Sequence, residues 1–157
     1  MKKLWLGDSK FETIVNIICL IQLVGIATYM IFFWKSIPDQ IPMHYGFTGT
    51  VTRWGSKGSL FIMPAFAWLI FLLLGNKKVV YWPEIMTEED KERIYPVLAK
   101  PISLLKLEII IVLVWITINT ILAQDLPIWF LPVILLLIFG TTIYAGILFF
   151  RVRWQST

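Results

Sequence analysis

The stretch IVNIICLIQLVGIATYMIFFW at residues 14–34, followed closely by IPDQIPMHYG at residues 37–46, decides the class of this protein. The first part is a continuous apolar run of the length that a helix needs to cross a bilayer, about 20 residues. The second part holds two prolines, which fix their own φ and bias the preceding residues towards extended conformations. The sequence therefore predicts a membrane-spanning helix followed by a turn into an ordered polar loop.

The composition supports a membrane protein. Of the 157 residues, 58% are hydrophobic and 15% are charged, and the mean hydropathy is +0.77, which is more apolar than soluble domains of this size. Further apolar runs at 59–75, 107–123 and 128–150 approach or reach the spanning length. We therefore expect an all-α integral membrane protein with four transmembrane helices in a single membrane domain, residues 1–157.

Lysine and arginine are distributed unevenly, and this asymmetry sets the orientation of membrane proteins. Ten lie at the two termini or within residues 77–100, against three in or beside the loop 37–58, with Lys106 left uncounted at the start of the third span. This predicts a multi-pass protein of the cell membrane with both termini cytoplasmic and loop 37–58 extracytoplasmic. Because the basic residues lie beside span ends, where anionic headgroups attract them, the expected partners include membrane lipids but no nucleic acid.

The cytoplasmic loop 76–106 has a helical pattern of its own. Thr87 precedes three acidic residues, an arrangement typical of a helix N-terminus, and apolar residues then recur on one face. We expect a short amphipathic cytoplasmic helix that Pro96 kinks or ends. It serves either as a connector under the bundle or as a docking surface, residues 77–100, for a cytoplasmic or membrane partner.

The outer loop 37–58 is expected to carry any binding site. From Ile37 to Phe47 apolar residues alternate with polar ones, which predicts a short extended segment half-buried at the membrane surface. The residues expected to hold its shape are Pro38, Pro42, Gly46, Gly49, Gly55 and Ser56. The residues expected to bind a ligand are Asp39, His44, Tyr45, Arg53, Trp54 and Lys57. Within this loop, we expect a hydrogen bond between Asp39 and His44.

His44 is the only histidine, and three interpretations of it are open. It holds the loop together by hydrogen bonds, or it contacts an anionic or peptide ligand together with Arg53 and Lys57, or it serves as a metal ligand or catalytic base. A metal site normally needs three or four ligands, and this side adds only Asp39 and the distant Asp125. We therefore predict no metal and no cofactor.

No nucleophile elbow, zinc-protease motif or phosphate-binding loop is present in the sequence. We therefore predict no catalytic residues and no enzyme activity. Lys106 and Glu108, near the inner end of the third span, are expected to form an exposed pair that reaches the membrane surface. Transport by this chain is disfavoured because no charged residue is expected at mid-span.

The string IPDQIPMHYG, with Gly49 and WGSK at 54–57, resembles the signature of a bacterial membrane family, domain of unknown function 1648 (DUF1648), which is related to the SdpI-like immunity proteins. The positions that match its pattern are Pro38, Pro42, His44, Gly49, Trp54, Gly55, Ser56 and Lys57. Thr52 differs, since the family usually has an acid there. The resemblance implies immunity, in which a membrane protein protects its producer from a secreted antimicrobial peptide.

We therefore expect a bacterial plasma-membrane protein that confers resistance to such peptides, with the outer loop binding a peptide toxin. One alternative is the binding of an anionic lipid headgroup or small molecule by His44, Arg53 and Lys57. Another is an accessory subunit of a transporter or signalling complex that docks through residues 77–100. Assembly into a homo-oligomer is compatible with each of these.

Overall fold

The computed structural model describes residues 9–75 and 88–154. The helices are α1 (Lys10–Phe33), α2 (Ile62–Gly75), α3 (Glu88–Ile121) and α4 (Phe130–Trp154), the strands are β1 (Gln40–Tyr45) and β2 (Val51–Ser56), and 3₁₀ turns cover Trp34–Ser36 and Lys57–Phe61. Within the described residues, four helical segments are long and apolar enough to cross a membrane. The prediction of a multi-pass helical membrane protein with four spans is confirmed.

Helix α1 begins before its apolar run because of a capping box. The Ser9 hydroxyl oxygen accepts from the Glu12 amide at 3.2 Å, and the Glu12 carboxylate accepts from the Ser9 amide at 3.4 Å. These two bonds satisfy backbone donors that the first turn of a helix leaves unpaired. The first helix therefore extends from Lys10 rather than from Ile14.

The expected short cytoplasmic helix is not separate, which corrects the prediction. α3 is one helix of 34 residues, and both Pro96 and Pro101 lie inside it. Each proline removes a single backbone donor, and the helix continues because Ile94, Ala99 and Pro101 are buried against the rest of the protein. At 1.5 Å per residue α3 is roughly 50 Å long, more than a bilayer core of about 30 Å. Thr87 and the rest of 76–87 lie outside the described residues.

Helix α3 is the centre of the bundle. It packs against α1, α2 and α4. Among the helices in the described part of the chain, α4 packs against α3 alone. One apolar cluster joins Ile26, Ile41, Leu60 and neighbouring residues at the hairpin, and a second joins Cys19, Ala67 and Ile110 deeper in the bundle. The backbones of α2 and α4 flank α3 and do not approach each other closely within the described residues, which leaves a groove between them at the hairpin end.

The loop 37–58 contains an antiparallel β-hairpin, so the all-α description needs a correction. In the register, Ile41 lies opposite Gly55, Pro42 opposite Trp54, His44 opposite Arg53, and Tyr45 opposite Val51. Met43 and Thr52 are therefore the extra residues of the two bulges, where a strand bends. Pro42 is tolerated because a two-stranded sheet has only edge strands. The predicted extended segment is thus paired with the second half of its own loop.

The prediction that Lys106 and Glu108 form an exposed pair is wrong. Lys106 is 2% exposed and donates from Nζ to Asn16 Oδ1 on α1, while Glu108 Oε1 accepts from Thr141 Oγ1 on α4 at 2.6 Å. Residues two apart on a helix point about 200° apart, so these side chains meet different neighbours of the central helix.

Candidate functional site

A cavity of 480 Å³ lies beneath the hairpin, and we call it the groove. Its roof is β1 and the turn that follows, and its walls are the start of α2, the last turns of α3, the α3–α4 turn and the start of α4. This places it at the hairpin end of three spans. Its volume is within the range of small-molecule sites, about 300–1,000 Å³.

The lining of the groove is mostly apolar. Its side chains include Met63, Ile116 and Leu131, and the residues known to line it include no Asp, Glu, Lys or Arg. The polar groups that line it are His44, Tyr45, Ser59, Thr117 and Thr120. Such a surface suits an apolar chain that makes a few directed hydrogen bonds, because burying an uncompensated charge there would be costly.

The hairpin is held over the groove by the α3–α4 turn. The Leu126 amide donates to the Gly49 carbonyl oxygen at 2.8 Å, and the Val51 amide donates to Asp125 Oδ1 at 2.7 Å. Asp125, considered from the sequence only as a distant metal ligand, therefore anchors the hairpin. No signal in the sequence joins it to a residue 74 positions away.

Tyr45 provides a further link between the hairpin and α3. Its hydroxyl lies 3.3 Å from Thr120 Oγ1 on α3, within hydrogen-bonding distance. Burial raises the pKa of Tyr45, and the charge of Asp125 adds to this, although the hydrogen bond with Thr120 acts in the opposite direction. The neutral phenol is thus the form that the roof of the groove favours.

His44 bonds Thr52 and not Asp39, so that expectation is wrong. Its Nδ1 lies 2.6 Å from Thr52 Oγ1, and the same hydroxyl donates to the His44 carbonyl oxygen at 3.2 Å. The Thr52 hydroxyl therefore holds the imidazole in place. The other ring nitrogen, Nε2, has no hydrogen-bond partner among the described residues and remains open to a ligand.

Asp39 instead pairs with Lys57 at the base of the hairpin. The Lys57 ammonium lies 3.3 Å from Asp39 Oδ1, donates to the Ile37 carbonyl oxygen at 3.0 Å and lies 5.0 Å from the centre of the Trp34 ring. The Lys57 side chain is only 17% exposed. Lys57 therefore closes the base of the hairpin and does not line the groove.

The six predicted ligand residues fall into three places. His44 and Tyr45 line the groove, Asp39 and Lys57 close the hairpin base, and the exposed Arg53 and Trp54 lie on β2 outside the groove. Groove residues on the helices, above all Met63, Thr117 and Thr120, were missed. They are ordinary residues of apolar spans, and only the packing of the helices brings them under the hairpin.

The predicted loop-structural residues also differ in their surroundings. Gly46 and Gly49 form the turn, since the Gly49 amide donates to the Gly46 carbonyl oxygen at 2.9 Å. Gly55 is covered by the Met43 side chain. Pro42 is buried on β1, whereas Pro38 is exposed before it, and Ser56 precedes the 3₁₀ turn without a side-chain cap. Among the described residues, no three His, Cys, Asp or Glu lie together as a metal site.

Comparison with known families gives one match. The family model described as a domain of unknown function, DUF1648, matches residues 17–68, a segment that runs from α1 through the hairpin into α2. No match was found among curated proteins or among solved structures. The matched segment supplies the roof and one wall of the groove, and α3 and α4 supply the other walls.

Proposed function

We propose that this chain, whose residues 17–68 match the DUF1648 family model, is a bacterial plasma-membrane protein that binds an amphipathic antimicrobial peptide and thereby protects the cell. In this proposal the hairpin faces the outside and both termini are cytoplasmic. The observation that carries the proposal is the mostly apolar groove of 480 Å³ beneath the hairpin. It is large enough for a few apolar side chains of a peptide that lies at the membrane surface.

The surface around the groove is suited to binding an amphipathic peptide. Phe47, at the tip of the hairpin, is 90% exposed and also lines the groove, and Trp54 on β2 is 50% exposed. Aromatic side chains favour the headgroup region of a membrane. Arg53 on the same strand is exposed, forms no ion pair among the described residues, and can make a charged contact. The peptide would insert apolar side chains into the groove and rest its polar side on the hairpin.

An anionic headgroup site made of His44, Arg53 and Lys57 has less support. Lys57 is already held by Asp39 and by the Ile37 carbonyl oxygen, and no lysine or arginine is among the residues known to line the groove. A phosphate placed there would be buried without a compensating charge. The peptide would therefore make apolar contacts in the groove and a charged contact with Arg53, while Lys57 stabilises the base of the hairpin.

Filling the groove tests the proposal. A susceptible bacterial strain would express wild type, Met63→Trp or Leu69→Trp at equal membrane abundance and be challenged with a panel of membrane-active peptides. Met63 lines the groove, whereas Leu69 is an exposed α2 residue outside its known lining. We expect wild type and Leu69→Trp to protect and Met63→Trp to lose protection. No protection by wild type, or full protection by Met63→Trp, would refute the proposal.

The orientation is tested separately. A Cys19→Ala background removes the only cysteine, and Phe47→Cys then places a thiol at the exposed tip of the hairpin. We expect a membrane-impermeant maleimide to label this variant in intact cells. Labelling only after the cells are broken would place the hairpin in the cytoplasm and would exclude the binding of a peptide from outside.

A further inference from the structure

We infer that Thr52 fixes the tautomer of His44, and that the ligand of the groove presents an uncharged hydrogen-bond donor, such as an amide N–H, to His44 Nε2. This inference rests on the proposed function, because it assumes that the groove holds a ligand. It goes further by assigning a positioning role to Thr52 and a specific chemical group to the ligand.

The first step concerns the single proton of the Thr52 hydroxyl. Its oxygen lies 2.6 Å from His44 Nδ1 and 3.2 Å from the His44 carbonyl oxygen. The carbonyl oxygen can only accept, so the hydroxyl proton satisfies it and the hydroxyl oxygen then accepts from Nδ1–H. If Nδ1 were unprotonated, one of these two contacts would bring lone pairs together without a proton. The geometry therefore selects the tautomer with the proton on Nδ1.

The second step concerns the other ring nitrogen. In the neutral imidazole with Nδ1 protonated, Nε2 carries a lone pair and can only accept a hydrogen bond. The His44 side chain is exposed and lines the groove, so Nε2 is accessible to a molecule bound there. A ligand that meets Nε2 must therefore bring a donor.

The third step concerns charge. Apart from the His44 imidazole, the residues known to line the groove include no carboxylate to balance an ammonium and no lysine or arginine to balance a carboxylate. The buried Thr117 hydroxyl already donates to the Leu113 carbonyl oxygen at 2.7 Å, so it cannot donate to an anion as well. An uncharged donor attached to an apolar chain fits both the lining and Nε2.

The tautomer can be measured directly, because the chain has one histidine and therefore one pair of imidazole nitrogen signals. The protein would carry ¹⁵N-histidine in lipid nanodiscs at about pH 9, where an ordinary imidazole is neutral. We expect a protonated Nδ1 and an unprotonated Nε2 in wild type and in Thr52→Ser, which keeps the hydroxyl. Thr52→Val should show a mixture. A protonated Nε2 in wild type would overturn the inference.

The ligand class is tested with two probes of equal chain length, dodecanamide and dodecanoate. We expect the amide to shift the Nε2 signal and to bind about tenfold more tightly than the carboxylate, the effect of roughly one hydrogen bond. Met63→Trp should abolish the shift. Equal or stronger shifts with dodecanoate, or none with either probe, would overturn the ligand assignment. Protection lost in Met63→Trp would still support the proposed function in that case, so the two failures are distinguishable.

Discussion

The backbone of Gly49 lies directly against the backbone of Leu126. The Leu126 amide donates to the Gly49 carbonyl oxygen at 2.8 Å, Gly49 has a φ of +87°, and a Cβ on Gly49 would collide with the Leu126 carbonyl oxygen. Two requirements for glycine thus coincide at one position, a left-handed backbone and a close approach. The roof of the groove is held to the α3–α4 turn by this contact.

Gly49→Ala should therefore release the hairpin tip and destabilise the protein. The left-handed backbone alone costs about 1–2 kcal/mol for an L-residue, and the collision with Leu126 adds to this cost. Gly58→Ala is the matched control, because its Cβ would meet only Ser56 Oγ at 3.9 Å, and we expect a change within about 0.5 kcal/mol. Thermal unfolding in detergent measures both. Equal stability of the two variants would contradict the role given to Gly49.

The four spans could be predicted from the sequence because the bilayer demands a long apolar run for each helix. The extended character of Ile37–Phe47 could be predicted as well, since alternating polarity and two prolines both favour it. The continuation of α3 through Pro96 could not. It depends on the burial of Ile94 and Ala99, and tertiary packing of this kind overrides local propensity.

The candidate site could be predicted only in part. His44 and Tyr45 were found because they stand out in a polar loop, but the partners of the hairpin, Thr120, Asp125 and Leu126, lie in another part of the chain. Only the three-dimensional packing brings them together. The sequence paired Asp39 with His44, whereas the chain course at the base of the hairpin places Asp39 beside Lys57.

Gly55 and Met43 should show strong energetic coupling. A Cβ on Gly55 would lie 2.5 Å from Met43 Cγ, so Gly55→Ala forces the methionine to move and should cost about 1–3 kcal/mol, as overpacking does. Met43→Ala creates the missing space. In the double variant, the cost of Gly55→Ala should therefore largely disappear. A double-mutant cycle of unfolding free energies checks this, and additive costs would contradict the contact.

Tyr45 should make the protein sensitive to alkaline pH. Its pKa is raised in the folded protein, chiefly by burial, so the folded state binds the phenolic proton more tightly than the unfolded state. Its contribution to stability is fully present below the ordinary tyrosine pKa of about 10 and is lost as pH rises through the higher folded value. Unfolding of wild type and Tyr45→Phe across this range tests it. The variant should lose less stability, and equal slopes would contradict the prediction.

Ala123→Gly should stabilise the protein. Ala123 follows the end of α3 and has a φ of +52°. Its amide donates to the Thr120 carbonyl oxygen, and the Gln124 amide donates to the Asn119 carbonyl oxygen. These are the two hydrogen bonds of a Schellman motif. Glycine avoids the cost of this backbone, so we expect a gain of about 1 kcal/mol. Ala99→Gly, inside α3, should instead lose about 0.5–1 kcal/mol. If the melting temperatures of Ala123→Gly and Ala99→Gly shifted in the same direction, the prediction would be contradicted.

Asn16→Leu should destabilise the bundle by removing a partner of the buried Lys106. The Lys106 ammonium donates to Asn16 Oδ1 and lies 5.8 Å from the centre of the Phe71 ring, and losing a hydrogen bond to a charged group costs about 1.5–3 kcal/mol. Lys106→Met removes the charge itself. The double variant should regain most of the stability lost in Asn16→Leu, because no buried ammonium remains to be satisfied. A double variant whose loss equals the sum of the single losses would mean that the ammonium reaches the membrane surface.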